Sequence, residues 1–184
     1  MGARTHTGCT LSSSRSSVHP NNGNSLVTAG LDCCVRAWDL RKLCCKRTPQ
    51  PVASYDCGRS VTSAFYTCTG RSLICTTMAD RLEILEGGKL TLDHSFRHDN
   101  KTGRWLTTLQ AIPHPTIDDL FAVGSMAKPR CVELFSLRER IRAVRGEALT
   151  AVVSRLAFHP RSDEGRILLA GGNSSGRVTI VQSA

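Results

Sequence analysis

A His-Pro turn leading into an apolar run recurs along this chain, and the recurrence constrains the fold more than any other feature. It stands at His19-Pro20, His114-Pro115 and His159-Pro160. The last two are 45 residues apart and the first two 95, which leaves room for one intervening unit. That unit is present in degenerate form: residues 60–66 read as a strand, 67–71 as a turn and 72–77 as a second strand. After each turn come two further short strands, 25–29 with 35–38, 73–76 with 82–85, 120–123 with 131–135 and 167–170 with 177–181. Short β-rich runs with Gly, Asp and Asn between them read as an all-β meander. A period of about 40–45 residues with four strands per unit is the signature of a β-propeller. No segment sustains helical periodicity. Residues 137–144 are the single weak helical candidate, and their charges suit a loop between blades equally well.

One unit is nearly diagnostic. The stretch LVTAGLDCCVRAWDLR (26–41) contains an Asp turn, a strand and the Trp-Asp pair that names WD40 repeats. Asp32 is suited to hydrogen-bond the backbone of a tight turn. Trp38 supplies a large apolar face between blades and an indole N–H that needs a partner. The other blades place Leu85, Phe135 and Val181 at the Trp position, which keeps the packing without the polar tie. The expected architecture is all-β, a WD40-type propeller of about four blades at residues 1–48, 49–89, 90–140 and 141–184. Closed WD40 rings most often have about seven blades within a range of about four to eight. An incomplete ring is therefore expected, with unpaired strand edges at its open ends.

Composition narrows the function classes. Hydrophobic residues make up 40%, which suits a packed fold and argues against disorder. No apolar run approaches the roughly 20 residues needed to span a bilayer, and the Ser/Thr-rich start of the chain has no apolar core like that of a secretory signal. No membrane association is expected. The nine cysteines form no C-x-x-C pair and no paired His spacing accompanies them, so neither a metal site nor another cofactor is expected. Reduced thiols are the better reading, with Cys68 and Cys75 as small hydrophobes in strands. The net charge of +9, from 24 basic and 15 acidic residues, favours an anionic partner, nucleic acid first. The competing reading is that the arginine content reflects base composition alone.

Three strings are more specific than the fold. RHDNKTGRWLT (97–107), VGSMAKPRCVELF (123–135) and LLAGGNSSGRV (168–178) closely resemble the C-terminal part of the WD repeat-containing protein 76 family. That family includes the fungal changed-mutation-rate protein and is related to the small subunit of the damaged-DNA-binding complex. The resemblance covers blades one, three and four and is weak in blade two. It implies a non-enzymatic nuclear protein that binds DNA or chromatin in the DNA-damage response. It also implies, for some members, a role as substrate receptor of a cullin-4 ubiquitin ligase through its damaged-DNA-binding adaptor. Residues 26–41 match the sixteen-residue box by which such receptors dock, with Asp39 and Arg41 at its end. Asp-x-Arg after Trp is also common in WD40 repeats that never meet a ligase. The alternative function is a protein-interaction scaffold without nucleic-acid binding.

Generic propeller geometry places Arg41 on one face and Lys101, Arg104, Trp105, Lys128, Arg130 and Arg177 on or near the other. In the loop 101–105, Gly103 permits a tight turn, Arg104 suits a phosphate and Trp105 is able to stack on a base. The related damage-binding subunit inserts the equivalent loop at a lesion. Its wedge residues are not reproduced here, so lesion specificity does not carry over. Trp105 has a second reading, as the start of the first strand of blade three.

Other motifs lead nowhere. Gly172 to Gly176 matches the G-x-S-x-G pattern of hydrolases, but between two strands and with no His after it. The same loop lacks the lysine of a phosphate-binding P-loop. No small-molecule substrate is expected. Asn100 and Asn173 begin glycosylation sequons that matter only in a secreted protein. Residues 12–17 are a candidate phosphorylation tract or a poor first strand. His6, His94, His98 and His114 form no catalytic or metal spacing and are assigned surface or turn roles.

Overall fold

The computed structural model describes residues 15–43, 49–103, 107–146, 149–161 and 167–182. Their strands form four antiparallel sheets, each a meander in chain order. Blade one holds β1 (Ser16–His19), β2 (Asn22–Ala29), β3 (Cys34–Asp39) and β4 (Ala53–Asp56). Blade two holds β5 (Val61–Tyr66), β6 (Ser72–Thr77), β7 (Arg81–Glu86) and β8 (Leu92–Arg97). Blade three holds β9 (Ile112–Pro113), β10 (Phe121–Gly124), β11 (Cys131–Phe135) and β12 (Arg140–Arg145). Blade four has three strands, β13 (Val153–Phe158), β14 (Leu168–Asn173) and β15 (Val178–Gln182). The fold is the expected WD40-type propeller arrangement. The sequence units are offset from the sheets: the boundaries at 48/49 and 89/90 fall before β4 and β8, so each unit carries the outer strand of the preceding sheet.

Alternation assigns the two faces of each sheet to different neighbours. Val27, Ala29, Val35 and Ala37 of blade one pack with Leu73, Cys75 and Leu85 of blade two. The residues between these, Ile74, Leu82 and Ile84, pack instead with Phe121, Val123 and Phe135 of blade three. Ala122, Val132 and Leu134 pack with Val153 and Leu169 of blade four. A strand covered on both faces loses the polar-out alternation, which is why β10 and the stretch Leu73–Cys75 of β6 read as continuous apolar runs. Within the second seam Phe121 and Phe135 stack with centroids 5.2 Å apart and planes 8° from parallel. The third seam is closest at Gly124, where a Cβ would stand 1.8 Å from the Val153 carbonyl oxygen.

The recurring His-Pro turn joins the first and second strands, and its histidine explains its recurrence. Nδ1 of His19 accepts the Asn21 N–H at 3.2 Å, and that of His159 accepts the Arg161 N–H at 3.2 Å. His114 does the same for Thr116 and Ile117, at 3.3 and 3.0 Å. The ring thus satisfies backbone donors that a tight turn leaves over. His114 is fully buried, so its turn role holds but a surface role does not; His98 is buried as well. The weak helical candidate at 137–144 overlaps β12, which spans Arg140–Arg145. Cys75 is a buried strand residue as expected, whereas Cys68 sits in the turn after β5, its Sγ 3.6 Å from Asp118.

Candidate nucleic-acid interface

Antiparallel neighbours alternate the ends at which the chain turns. The connections β2–β3, β6–β7, β10–β11 and β14–β15, with those between blades, lie at one end of the strands, here the upper rim. The connections between first and second and between third and fourth strands lie at the lower rim.

On the upper rim, the loop from β8 to β9 is anchored by one residue of the β6–β7 turn. Asp80 adopts a left-handed conformation (φ 56°) and turns both its main chain and its side chain to that loop. Its carbonyl accepts the His98 N–H at 2.9 Å, and Oδ1 accepts the N–H of Asn100 at 3.3 Å and of Lys101 at 3.0 Å. Asn100 adds a bond from Nδ2 to the Arg81 carbonyl at 3.1 Å, and the Asp99 carbonyl accepts the Met126 N–H at 2.9 Å. Asn100 and Thr102 are buried while Lys101 and Gly103 are exposed, Gly103 with φ 65°. The loop therefore leaves a fixed root with its cation outward. Arg104 and Trp105 lie outside the described residues.

Beneath this root, at the seam of blades two and three, His98 packs edge-on against Phe135, with centroids 6.0 Å apart. Its Nε2 stands 3.9 Å from Oε2 of the buried Glu133, which also meets Arg140 at 3.4 Å and the Cys131 thiol at 3.7 Å. Burial holds the His98 imidazole below the ordinary histidine range against the pull of Glu133. The first seam carries a comparable carboxylate. Burial raises the Glu83 carboxyl, opposed by hydrogen bonds from Cys57 and Tyr55, and burial with Glu83 nearby pushes the Tyr55 hydroxyl up to about 12.

The remaining predicted cations share this rim. Lys128 and Arg130 lie in the β10–β11 connection, where Lys128 is exposed and Arg130 donates to the Met126 carbonyl. Arg177, in the β14–β15 turn, donates its N–H to Asn173 Oδ1 at 3.1 Å and Nη1 to Thr150 Oγ1 at 3.2 Å. These bonds go to neutral groups and leave the charges uncompensated. Among the described residues none of Lys101, Lys128, Arg130 and Arg177 forms an ion pair. On the lower rim three cations are paired, Arg41 on Asp39 at 2.9 Å, Lys89 on Glu86 at 3.8 Å and Arg138 on Asp93 at 3.3 Å, while Lys42, Arg71 and Arg161 form no ion pair among the described residues.

The lower-rim corner of blade one is built around the Trp-Asp pair. Trp38 is buried, and its Nε1 donates to Thr28 Oγ1 at 2.9 Å, which is the partner the indole needs. Asp32, at the far end of the hairpin, accepts the Cys34 N–H at 3.4 Å and pairs with Arg36 at 2.6 Å. Asp39 caps the short 3-10 turn Leu40–Lys42 by accepting the Arg41 N–H at 3.0 Å. The same carboxylate grips the Arg41 guanidinium twice, at 3.0 and 2.9 Å, and those bonds hold its carboxyl below the usual range. Arg41 remains 69% exposed beside a pocket of about 260 Å³ lined by Trp38, Lys42, Val52 and His19.

Comparison with known proteins identifies relatives of the chain. No family model matches the chain. WD repeat-containing protein 76 of Xenopus laevis is 38% identical over 173 residues, which are 89% of this chain and 28% of that protein. The Mus musculus protein of the same name is 36% identical over 169 residues, again 89% of this chain and 26% of that protein. The chain is a relative of WD repeat-containing protein 76. DNA damage-binding protein CMR1 of Chaetomium globosum is 30% identical over 186 residues, covering 89% of this chain and 34% of that protein. The chain thus spans about a quarter to a third of the length of these relatives. Among solved structures, Saccharomyces cerevisiae Sqt1 superposes with a TM-score of 0.69 at 19% identity, over 90% of this chain and 43% of that one. That likeness shows the fold.

Within this WD-repeat frame, sequence reasoning missed Asp80, His98 and Asn100. One signal was present: three successive polar residues, His98, Asp99 and Asn100, follow a strand just before the basic loop. Their partners lie in other strands, so the pattern carried no role by itself.

Proposed function

We propose that this chain is a non-enzymatic nuclear WD-repeat module that binds DNA or chromatin through its upper rim in the DNA-damage response. The observation that carries the reading is the set of cations in the upper connections, Lys101, Lys128, Arg130 and Arg177, none of which has a carboxylate partner among the described residues. Unpaired cations on one rim suit a polyanion whose counterions are released on binding. The name of the CMR1 relative, a DNA damage-binding protein, points the same way. The test is titration of a labelled duplex at low and moderate salt, beside a Lys101/Arg104/Trp105 triple-alanine variant. Salt-dependent binding weakened at least tenfold in the variant is expected. A folded sample that binds no duplex would overturn the reading and leave a protein scaffold in its place.

A second activity is favoured by the Asp39–Arg41 corner. An arginine held in a bidentate grip and still exposed is preorganised to dock a partner protein. We assign this corner to the damaged-DNA-binding adaptor of a cullin-4 ligase. Arg41→Ala is expected to abolish adaptor pull-down while leaving duplex affinity unchanged; retained pull-down would place the docking elsewhere.

A further inference from the structure

We propose that Arg81, Arg97 and Arg145 form a second row of phosphate contacts on the outer corner of the upper rim, so that a DNA backbone tracks the outer edge of blades two and three. The inference rests on the nucleic-acid reading of that rim and specifies the path across it.

Strand register places the three residues. Arg81 opens β7 and Arg97 closes β8, and they are direct cross-strand partners. Arg145 closes β12 opposite Cys131, the first residue of β11. Directly paired residues project from the same face of a sheet. Arg81 and Arg97 therefore share the face of Glu83, which meets Tyr55 and Cys57 of blade one. Arg145 shares the face of Glu133, which meets His98 at the exit of blade two. Arg97 and Arg145 thus occupy equivalent corners at two successive seams. Blade one has Asp56 at the matching position, opposite Cys34, so the row begins at blade two.

Arg81 favours the charged form of the buried Glu83 carboxyl on its own face, but folding does not account for Arg97 and Arg145. Arg81, Arg97 and Arg145 are all exposed, and none forms an ion pair among the described residues. Like charges directly opposite each other on two strands destabilise the pairing. Charged residues do protect an edge strand from pairing with another chain. Arg140 and Arg142 serve that purpose on β12, but Arg81 is on an interior strand, and Arg97 and Arg145 sit only at the rim. The inner parts of the connections into blades three and four, residues 107–111 and 149–152, carry no charged residue. Cationic density is therefore displaced from these inner connections toward the outer strands. Lys101 and Lys128 lie on the same rim, which gives two sides of a track rather than a point. Guanidinium groups suit phosphates because two N–H donors engage two oxygens at once.

The test uses Arg97→Ser, Arg145→Ser and their double variant with a labelled duplex across a salt series. Each serine is expected to reduce the slope of log K against log salt by about one and to weaken binding alike on unrelated sequences. Arg97→Lys should keep the slope, because the charge stays. Thermal melts should show Arg97→Ser at or above the parent, since it relieves the Arg81 repulsion. Arg71→Ser and Arg161→Ser, in lower-rim connections, should leave binding unchanged. If the double variant keeps the parental slope while Lys101→Ala lowers it, the outer path is wrong and the upper-rim reading survives. A slope lost equally in Arg97→Ser and Arg97→Lys would make Arg97 structural and overturn the proposal. A parent that binds no duplex would end both readings.

Discussion

Asp80 is an acidic residue on a rim assigned to a polyanion, and its two properties predict opposite effects. As a charge it repels phosphate, so removing it should tighten binding. As the anchor of residues 98–101 it fixes the loop that carries Lys101, so removing it should loosen binding. Asparagine separates the two, because it retains Oδ1 as an acceptor and tolerates the left-handed conformation. Asp80→Asn is expected to bind duplex at least as tightly as the parent. Asp80→Ala loses both side-chain bonds, at about 1 kcal/mol each, and should bind on the order of tenfold more weakly. Weaker binding in both variants, measured by the same titration, would mean that the carboxylate acts in some way other than holding the loop. None of this was legible from the sequence, where Asp80 is one acid in a tight turn 20 residues before its partner Asn100.

At the scale of elements, local pattern carried most of the fold. The His-Pro turns, the Trp-Asp hairpin and the paired strands all stand where the repeat places them. The weak helical candidate at 137–144 misled for a physical reason. β12 is an outer strand half-buried only at Ala143 and Val144, and its exposed Arg140, Ile141 and Arg142 break the alternation that marks a strand. The offset between repeat and blade has a cause too, since the conserved-looking turn marks the first strand while each outer strand is poor in signal. Seam geometry was not legible, because it depends on how closely two sheets approach. Gly124 makes that approach measurable. Gly124→Ala would push a methyl into the Val153 carbonyl, where backbone cannot yield as a side chain can. A loss of about 3 kcal/mol is expected from urea unfolding. A loss under about 0.5 kcal/mol, the range of ordinary surface changes, would show that the third seam is looser than it stands here.

For the whole molecule, topology alone separates Arg41 from Lys101, Lys128, Arg130 and Arg177, and the sequence already implied that separation. It did not reveal which cations were neutralised. Most of the described ion pairs are local to one blade, but Arg138 with Asp93 joins two, and there only the assembled seam decides the pairing. A net charge of +9 therefore says less than its distribution.

Among the described residues blade four packs on blade three alone and has three strands, and Val178 and Ile180 on β15 are 72% and 68% exposed where Leu82 and Ile84 of β7 are fully buried. Units held only by their neighbours do not come apart all at once. Among the blades described here, two and three are each covered on both faces and open at the greatest cost. To a protease such an assembly is a ladder that frays from an outer rung, while the loop at 98–103, rooted between two inner blades, keeps its footing.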